Sequence, residues 1–331
     1  MMRVFLTHRP EDLEAYYSRS LPELRAIADV VTNPLDRDLT TAELIEHAAG
    51  CQVIIAHRAT PGEARVFEEL PELLAFLRTA VDISTIDVGA ATDHGVLVAH
   101  ADKSFVASTA EIALALLLDL ARHVSDSTVD YRNGSEPPQR PGSQLRGKTA
   151  GLIGYGVIAR YLAGVLTAMG LEVLVHDPYT DDAVADGLEQ TSFEDLLVRS
   201  HVVLPLAAST PETEDLVDAG ALALMRPGTL LVNVSRGELL DEAAVADALD
   251  TGHLGGLAMD VGRAPDQRPS PALARRPGVV ATPHLGGLTP ENADAQAYSS
   301  VEQVLAMTRG EIPPRTVNAD RAHRLRAWWN R

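Results

Sequence analysis

The chain has 331 residues, a length typical of about two domains, and 46% of its residues are hydrophobic while 22% are charged. This balance supports a buried core and argues against an intrinsically disordered chain. The formal net charge of -18 argues against binding to nucleic acid or to anionic membranes, because both carry negative charge themselves.

The cysteine content and the N-terminus indicate a cytoplasmic protein. Cys51 is the only cysteine, so no disulfide can form within the chain, which fits a reducing compartment. The first residues predict a strand at 3–7, and charge interrupts them too soon for a signal peptide. No stretch of the sequence is long and apolar enough to span a membrane. We therefore expect no membrane segment.

Strands and helices alternate through the first hundred residues. The first helix is expected to break near Pro22, and the second follows a threonine cap. This alternation predicts a small parallel sheet with helices on its faces. The predicted strands lie at residues 3–7, 30–31, 52–56, 77–80 and 96–100, and the predicted helices at 11–28, 41–49 and 67–77.

A long apolar helix is predicted next, at residues 111–122, with Ser108 or Thr109 as its cap. It is apolar on nearly all sides, so we expect it to be buried between domains or at a subunit interface. The last long helix, at 290–308, is expected to return to the first domain. The amphipathic tail at 320–331 is a candidate for packing on a subunit.

A strand, a glycine turn and a helix follow one another from residue 148 onward. Gly154, Gly156 and Ala159 have the G-x-G-x-x-A spacing of a dinucleotide-binding turn. The first glycine permits a sharp turn, and the second lets main-chain N–H groups approach a pyrophosphate at the helix N-terminus. The predicted cofactor-binding positions are Gly154, Tyr155, Gly156, Val157 and Ile158.

An acidic residue stands where a dinucleotide site needs one. Asp177 ends the next predicted strand, about twenty residues past the glycines, where a carboxylate can accept hydrogen bonds from the adenine ribose. Pro178 and Tyr179 follow it, and no arginine is there to receive a 2′-phosphate, so the sequence favours NAD over NADP. The alternative is a strand–helix–strand unit whose glycines serve packing alone.

Three later strand ends carry polar side chains suited to catalysis. Arg236, Asp260 and His284 each follow a predicted strand, where open α/β sheets bind ligands. Arginine can bind a carboxylate through two parallel hydrogen bonds and polarise a neighbouring carbonyl. Histidine exchanges protons near neutral pH, which suits a general acid or base. Asp260 is placed to meet the nicotinamide end of a cofactor.

Together these segments resemble the D-isomer-specific 2-hydroxyacid dehydrogenase family, whose members include phosphoglycerate dehydrogenases and glyoxylate/hydroxypyruvate reductases. Four motifs occur in the order found in that family, and the resemblance covers most of the chain from residue 80 onward. They are the Gly-x-Gly turn, Arg-Pro-Gly to Asn-x-Ser-Arg-Gly at 226–237, Met-Asp-Val at 259–261 and Thr-Pro-His-Leu-Gly-Gly at 282–287.

The resemblance implies a fold and roles for single residues. The fold would be α/β, with a Rossmann NAD-binding domain at 102–287 and a smaller flavodoxin-like substrate domain formed by residues 1–101 and 288–331. Arg236 would hold the substrate carboxylate and carbonyl, and His284 would be the acid in reduction and the base in oxidation. Family members are usually homodimers. The resemblance adds Ala207, Val234, Asp260 and Gly286 to the predicted cofactor-binding residues.

The chain departs from the family beside the catalytic histidine. The family has a glutamate just before a proline, a few residues beyond the Asp-Val strand, where this chain has Ala264 and Pro265. A carboxylate partner stabilises an imidazolium and fixes its tautomer, so its loss is expected to move the pH optimum of reduction down. Asp266 is a candidate catalytic substitute, and the alternative is that it is a solvated loop acid.

The loop implied to bind the substrate carboxylate also differs from the family. Main-chain N–H groups of Ala80 and Val81 are predicted to bind the carboxylate. Asp82 replaces a glycine there and is expected to disfavour a phosphorylated substrate. Arg58 and Lys103 are further candidates for contact with the substrate, and the alternative for Lys103 is an ordinary surface position.

We therefore expect an NAD-dependent oxidoreductase that interconverts a small 2-keto acid and a D-2-hydroxy acid. No cluster of His, Cys and Asp has the spacing of a metal site, so we expect no metal. Two alternatives stay open. One is an NAD-sensing scaffold similar to transcriptional corepressors, with little or no catalysis, and the other is a family enzyme acting on formate or phosphite.

Overall fold

The computed structural model describes residues 1–330 and shows an α/β chain built on two parallel sheets. It divides into two compact units. One is formed by Met1–Ser104 with the segment from Pro290 onward, and the other by Phe105–Thr289. In each unit helices connect the parallel strands, because parallel neighbours need a crossover connection.

The first unit begins with five strands and five helices. The strands are β1 Met2–Leu6, β2 Ala28–Thr32, β3 Val53–Ala56, β4 Ala75–Arg78 and β5 Leu97–Ala99, and the helices are α1 Pro10–Tyr17, α2 Leu21–Ile27, α3 Thr41–His47, α4 Ala64–Glu69 and α5 Val88–Asp93. The parallel strands have the order β2-β1-β3-β4-β5. Val53 and Ile55 belong to one hydrophobic core and Ile54 and Ala56 to another, since alternate residues face opposite sides of a sheet.

Two elements predicted for this unit are wrong in position. The helix predicted at 67–77 is α4, which ends at Glu69, and the strand predicted at 77–80 is β4, which ends at Arg78. Pro71 explains the early end of the helix, because the residue before a proline is disfavoured in helical geometry. Leu70 accordingly has φ of -110° and ψ of 83°. The threonine cap of α3 is confirmed, since the side chain of Thr40 accepts a hydrogen bond from the Glu43 N–H.

The second unit contains a seven-stranded parallel sheet in the order β12-β11-β10-β9-β6-β7-β8. The strands are β6 Thr149–Ile153, β7 Glu172–His176, β8 Glu189–Gln190, β9 Val202–Pro205, β10 Thr229–Asn233, β11 Leu254–Met259 and β12 Val279–Ala281. The helices are α6 Phe105–Arg122, α7 Val124–Arg132, α8 Val157–Ala168, α9 Asp182–Ala185, α10 Phe193–Arg199, α11 Ala219–Leu224, α12 Glu242–Asp250 and α13 Pro271–Ala274.

The long apolar helix α6 packs on the sheet of its own unit. It begins at Phe105, so Ser108 and Thr109 lie inside it and the predicted cap is wrong. Ala113 and Leu117 are fully buried in the core of the second unit, whereas Leu118 is 38% exposed. Neither α6 nor any other helix within residues 1–330 is long and apolar enough to cross a membrane.

The chain then returns to the first unit through α14 Pro290–Thr308 and α15 His323–Trp329. The prediction of a helix at 290–308 is confirmed. The tail packs on its own unit, where Leu325 is buried in the hydrophobic core. A contact of the tail with a second subunit stays a prediction. Trp329 adds a hydrogen bond from its indole N–H to the carbonyl oxygen of Met307, at 2.8 Å.

Candidate functional site

The polar residues of interest follow the carboxyl ends of strands in the second sheet. β6 lies between β7 and β9, so the strand order reverses there. Open parallel sheets bind ligands outside the carboxyl ends of their strands at such a reversal. The glycine turn follows β6, Asp177 follows β7, and Arg236, Asp260 and His284 come after β10, β11 and β12. The second unit therefore presents all of them at one edge of its sheet.

The glycine turn has the shape that a dinucleotide requires. Gly154 has φ of 92°, which favours glycine, and a Cβ on it would lie 2.8 Å from the Cα of Ala207. Gly156 precedes α8, and apart from its chain neighbours no described atom lies within 4 Å of a Cβ built on it. The N–H groups of Val157 and Ile158 belong to the first helical turn, where no helical carbonyl accepts them. This open side fits the approach of a pyrophosphate.

Asp177 joins the end of β7 to the glycine turn. Its Oδ2 accepts a hydrogen bond from the Tyr155 N–H at 2.8 Å, and its Oδ1 accepts one from the Tyr179 N–H at 2.9 Å. The Tyr155 hydroxyl donates to Asp186, and burial together with this carboxylate raises the pKa of Tyr155 to about 12. The Asp177 carboxylate is thus held against the turn in which the sequence predicts a dinucleotide.

The turn that carries Arg236 is held by a buried amide. Asn233 ends β10, and its Oδ1 accepts a hydrogen bond from the Ser235 N–H at 3.0 Å, while its Nδ2 donates to the Arg236 carbonyl at 2.7 Å. The half-buried Arg236 guanidinium donates to the Ser235 carbonyl at 2.8 Å, and within residues 1–330 it forms no ion pair. Its positive charge therefore has no internal counter-ion. The sequence did not predict the role of Asn233, although an asparagine directly after an apolar strand was a usable signal.

Asp260 anchors the segment that contains the candidate catalytic histidine. Its side chain is fully buried, and Oδ1 accepts hydrogen bonds from the Thr282 hydroxyl at 2.6 Å and the Leu285 N–H at 2.7 Å. Oδ2 accepts one from the Gly286 N–H at 2.7 Å. The carboxylate therefore fixes residues 282–286 beside the end of β11. The roles of Asp260, Gly286, Ala207 and the buried Val234 toward nicotinamide stay predictions.

His284 contacts the main chain of the loop that contains Asp266. Its Nδ1 lies 2.9 Å from the Asp266 carbonyl oxygen. The Asp266 side chain is exposed, and within residues 1–330 its carboxylate forms no ion pair with the imidazole. The structure thus brings Asp266 to His284, but through the peptide carbonyl and not through the carboxylate. His284 itself has φ of 62°, an uncommon backbone conformation for a residue other than glycine.

The substrate-binding residues predicted in the first unit lie near the carboxyl ends of its strands. Arg58 and Lys103 are exposed, whereas Ala80 and Val81 are half-buried. Asp82 in the same loop is exposed, and its Oδ1 accepts a hydrogen bond from the Ser84 N–H at 2.8 Å. The carboxylate contacts predicted for this loop stay predictions.

Two histidines, His8 and His57, follow β1 and β3 in the first unit, and sequence analysis assigned His8 no functional role. The rings of His8 and His57 lie 5.2 Å apart, and His8 Nε2 is 3.2 Å from the Thr79 hydroxyl. Burial and then the neighbouring His57 lower the pKa of His8 to about 3, and burial also lowers the pKa of His57. Both rings are therefore neutral at physiological pH. Among residues 1–330 no group of His, Cys, Asp and Glu is arranged to hold a metal ion.

The buried Arg78 holds the loop that follows β3. Its guanidinium donates to the carbonyl oxygens of His57 and Thr60 and, at 3.0 Å, to the Thr85 hydroxyl. Burial lowers the pKa of Arg78 to about 10, which leaves the side chain charged at neutral pH. Burial of a cation is costly unless its donors form hydrogen bonds, and these bonds satisfy most of the Arg78 guanidinium donors.

Comparison with known sequences shows a match to one family model and to several curated proteins. The sequence model of the D-isomer specific 2-hydroxyacid dehydrogenase NAD binding domain matches residues 114–286. The D-3-phosphoglycerate dehydrogenase of Mycobacterium leprae is 37% identical over 281 residues, which cover 84% of this chain and 53% of that protein. The chain therefore spans about half the length of the curated relatives that it matches. NAD as the cofactor of this domain is confirmed.

Solved structures show the same fold. A Polaromonas protein described as a D-isomer specific 2-hydroxyacid dehydrogenase has a TM-score of 0.84 at 27% identity, covering 96% of this chain and 99% of that one. A Thermus thermophilus protein has a TM-score of 0.80 at 30% identity, covering 96% of this chain and 100% of that one. The predicted α/β fold class is confirmed.

Substitution of Gly237 tests the close packing beside Arg236. A Cβ on Gly237 would lie 2.2 Å from the main-chain carbon of Gly262, which cannot rotate away as a side chain can. We expect Gly237→Ala to lower the free energy of unfolding, measured by urea denaturation, by at least ~1–3 kcal/mol. The matched control is Gly164→Ala in α8, where a Cβ meets nothing within 4 Å. That variant should gain ~0.5–1 kcal/mol, and equal stability of the two variants would contradict the close approach.

Proposed function

The chain belongs to the D-isomer specific 2-hydroxyacid dehydrogenase family, and we propose that it transfers hydride between NAD and a small 2-keto or D-2-hydroxy acid. The observation that carries this proposal is the placement of the glycine turn, Arg236 and His284 at one edge of one sheet. Carbonyl reduction needs a dinucleotide site, a cation for the substrate carboxylate and a proton donor. These three elements supply them.

Arg236 and His284 have distinct tasks in the proposed reaction. NADH, when bound, would supply the hydride for reduction of the substrate carbonyl. The Arg236 guanidinium binds the carboxylate and polarises the carbonyl through charge-assisted hydrogen bonds. His284 donates a proton from Nε2 to the carbonyl oxygen as negative charge develops there, and it accepts the hydroxyl proton in the reverse direction. Nε2 is assigned this task because Nδ1 is engaged by the Asp266 carbonyl.

The two units have different tasks in this proposal. The NAD-binding domain comprises residues 102–287, and its glycine turn would hold the pyrophosphate while Asp177 accepts hydrogen bonds from the adenine ribose. Val234 and Asp260 would hold the carboxamide, with Ala207 and Gly286 beside it. Residues 1–101 and 288–331 would form the substrate-binding domain, in which Ala80, Val81, Arg58 and Lys103 are the candidates for contact with substrate.

We propose a substrate without a phosphate group. The imidazoles of His8 and His57 are neutral, because burial lowers the pKa of each. A neutral imidazole can donate one hydrogen bond but supplies no charge to balance a phosphate. Asp82 adds a negative charge to the loop of Ala80 and Val81. A small uncharged substituent, such as the hydroxyl of hydroxypyruvate, suits these residues better than a phosphoryl group does.

The assembly is proposed to be a cytoplasmic homodimer. Four large apolar side chains on the consecutive helices α6 and α7 are exposed, and we propose that they contribute to the interface. They are Leu118, Val124, Val129 and Tyr131, with exposures of 38%, 56%, 50% and 67%. The single cysteine fits a reducing compartment.

Oxidation of NADH, followed by its absorbance, tests the activity directly. Glyoxylate, hydroxypyruvate, pyruvate, phenylpyruvate and 2-oxoglutarate form the panel. We expect turnover with at least one of them, and we expect His284→Ala to lower kcat by about 10²–10⁴, the usual contribution of a general acid. His47→Ala is the matched control, since His47 lies in the last turn of α3 and belongs to none of the segments assigned to the candidate site. Binding of NADH without turnover of any compound in the panel would contradict the proposed 2-keto acid dehydrogenase and would favour a sensor or an enzyme for a substrate outside this class.

The substrate class can be tested with two compounds that differ only in a phosphate group. We expect kcat/KM for hydroxypyruvate to exceed that for its 3-phosphorylated analogue by at least about tenfold, or about 1.4 kcal/mol. Asp82→Asn should narrow this ratio, because it removes the charge and keeps an acceptor for the Ser84 N–H. Asp320→Asn, an exposed acid elsewhere in the same unit, is the control. A preference for the phosphorylated compound would contradict the proposed class while leaving the dehydrogenase reaction intact.

A further inference from the structure

We propose that the main-chain carbonyl of Asp266, and not a carboxylate, orients His284 and fixes its tautomer. A carbonyl oxygen can only accept a hydrogen bond, so the imidazole Nδ1, 2.9 Å away, must carry a hydrogen. Nε2 is then the nitrogen that gains and loses the catalytic proton. A carboxylate would select the same tautomer, but it would also add a negative charge beside the imidazolium. The proposal rests on the proposed function for its kinetic consequences and on geometry alone for the tautomer.

The loop that carries Asp266 has a backbone shaped to aim this carbonyl. Asp266 and Gln267 have φ of 59° and 56°, two consecutive left-handed residues. Aspartate is one of the few residues that adopt this conformation readily. The Ala264 N–H donates to the Arg268 carbonyl at 3.0 Å, and the Gly262 N–H donates to the Gln267 carbonyl at 2.9 Å. These main-chain hydrogen bonds close the loop.

Arg263 anchors the same loop to its surroundings. Its guanidinium donates to Glu214 at 2.7 Å, to the carboxylate of Asp215, and to the carbonyl oxygens of Glu238 and Leu240 at 3.0 and 3.2 Å. Four acceptors from two other segments therefore hold the residue next to Ala264. Arg263 is a positioning residue in this proposal, because it acts on His284 only through the loop.

The charged groups around His284 determine how a neutral carbonyl partner differs in effect from a carboxylate partner. Asp260 lies behind the histidine segment, and its carboxylate already accepts the N–H groups of Leu285 and Gly286. The Asp266 carboxylate is exposed, and Arg263 and Arg268 flank it on the loop. Ala264 has no charge to offer. A carboxylate beside the imidazole would favour its protonated form, so reduction would persist to higher pH.

Two variants of residue 266 test the role of its main-chain carbonyl independently of the role of its side-chain carboxylate. Asp266→Asn removes the charge and keeps a residue that tolerates positive φ, whereas Asp266→Pro fixes φ near -65° and must displace the carbonyl. We expect kcat of reduction to fall about 10–100-fold further in Asp266→Pro than in Asp266→Asn, the range typical for loss of a group that orients a histidine. Equal losses in both variants would overturn the proposal, because they would assign the role to the carboxylate.

Two readouts keep the test independent of the stability of the proline variant. Ala264→Glu should move the alkaline limit of kcat/KM for reduction to higher pH, while the neutral control Ala264→Gln leaves the limit in place. Nitrogen NMR of the imidazole rings should show hydrogen on Nδ1 of neutral His284 in the wild type and in Asp266→Asn. Hydrogen on Nε2 instead would overturn the proposal. NMR needs no turnover. An inactive wild type would therefore contradict the proposed function, while the tautomer of His284 could still be tested.

Discussion

The buried carboxylate of Asp260 is the constraint on which the candidate active site depends. It accepts three hydrogen bonds from residues 282–286, and the main-chain N–H of Asp260 donates to the Asn233 carbonyl at 3.0 Å. Hydrogen bonds to a charged group are each worth about 1.5–3 kcal/mol, and loss of the acceptor would leave buried donors unpaired. Asp260 thus connects the end of β10, which carries the Arg236 turn, to the segment that carries His284. Its main-chain N–H contacts the strand end and its carboxylate contacts the histidine segment.

Main-chain hydrogen bonds also hold the two candidate catalytic residues in place. Asn233 holds the Arg236 turn through both of its side-chain atoms, and the 262–268 loop supplies a carbonyl to His284. The two groups proposed to contact substrate therefore have orientations set by main-chain hydrogen bonds and buried polar atoms. Such rigid support suits catalysis, since small displacements of reacting groups cost large factors in rate.

The fold and the location of the site could be predicted from sequence because they depend on local, repeating patterns. The spacing of Gly154, Gly156 and Asp177 predicted the dinucleotide unit, and the helix at 290–308 was found within its bounds. Errors arose where one residue overrides a pattern. Pro71 ended α4 early, although the apolar pattern predicted a helix to residue 77. The orienting carbonyl of Asp266 depends on two left-handed residues, which side-chain chemistry does not reveal.

Amide hydrogen exchange in Asp260→Asn is the most direct test of this account. The amide replaces one acceptor oxygen with a donor of nearly equal size, so the Leu285 and Gly286 N–H groups and the Thr282 hydroxyl can no longer all be satisfied. We predict faster exchange at Leu285 and Gly286, together with a lower kcat, while exchange in β6 stays as in the wild type. Unchanged exchange across residues 282–286 would contradict the claim that this carboxylate holds the histidine segment in place.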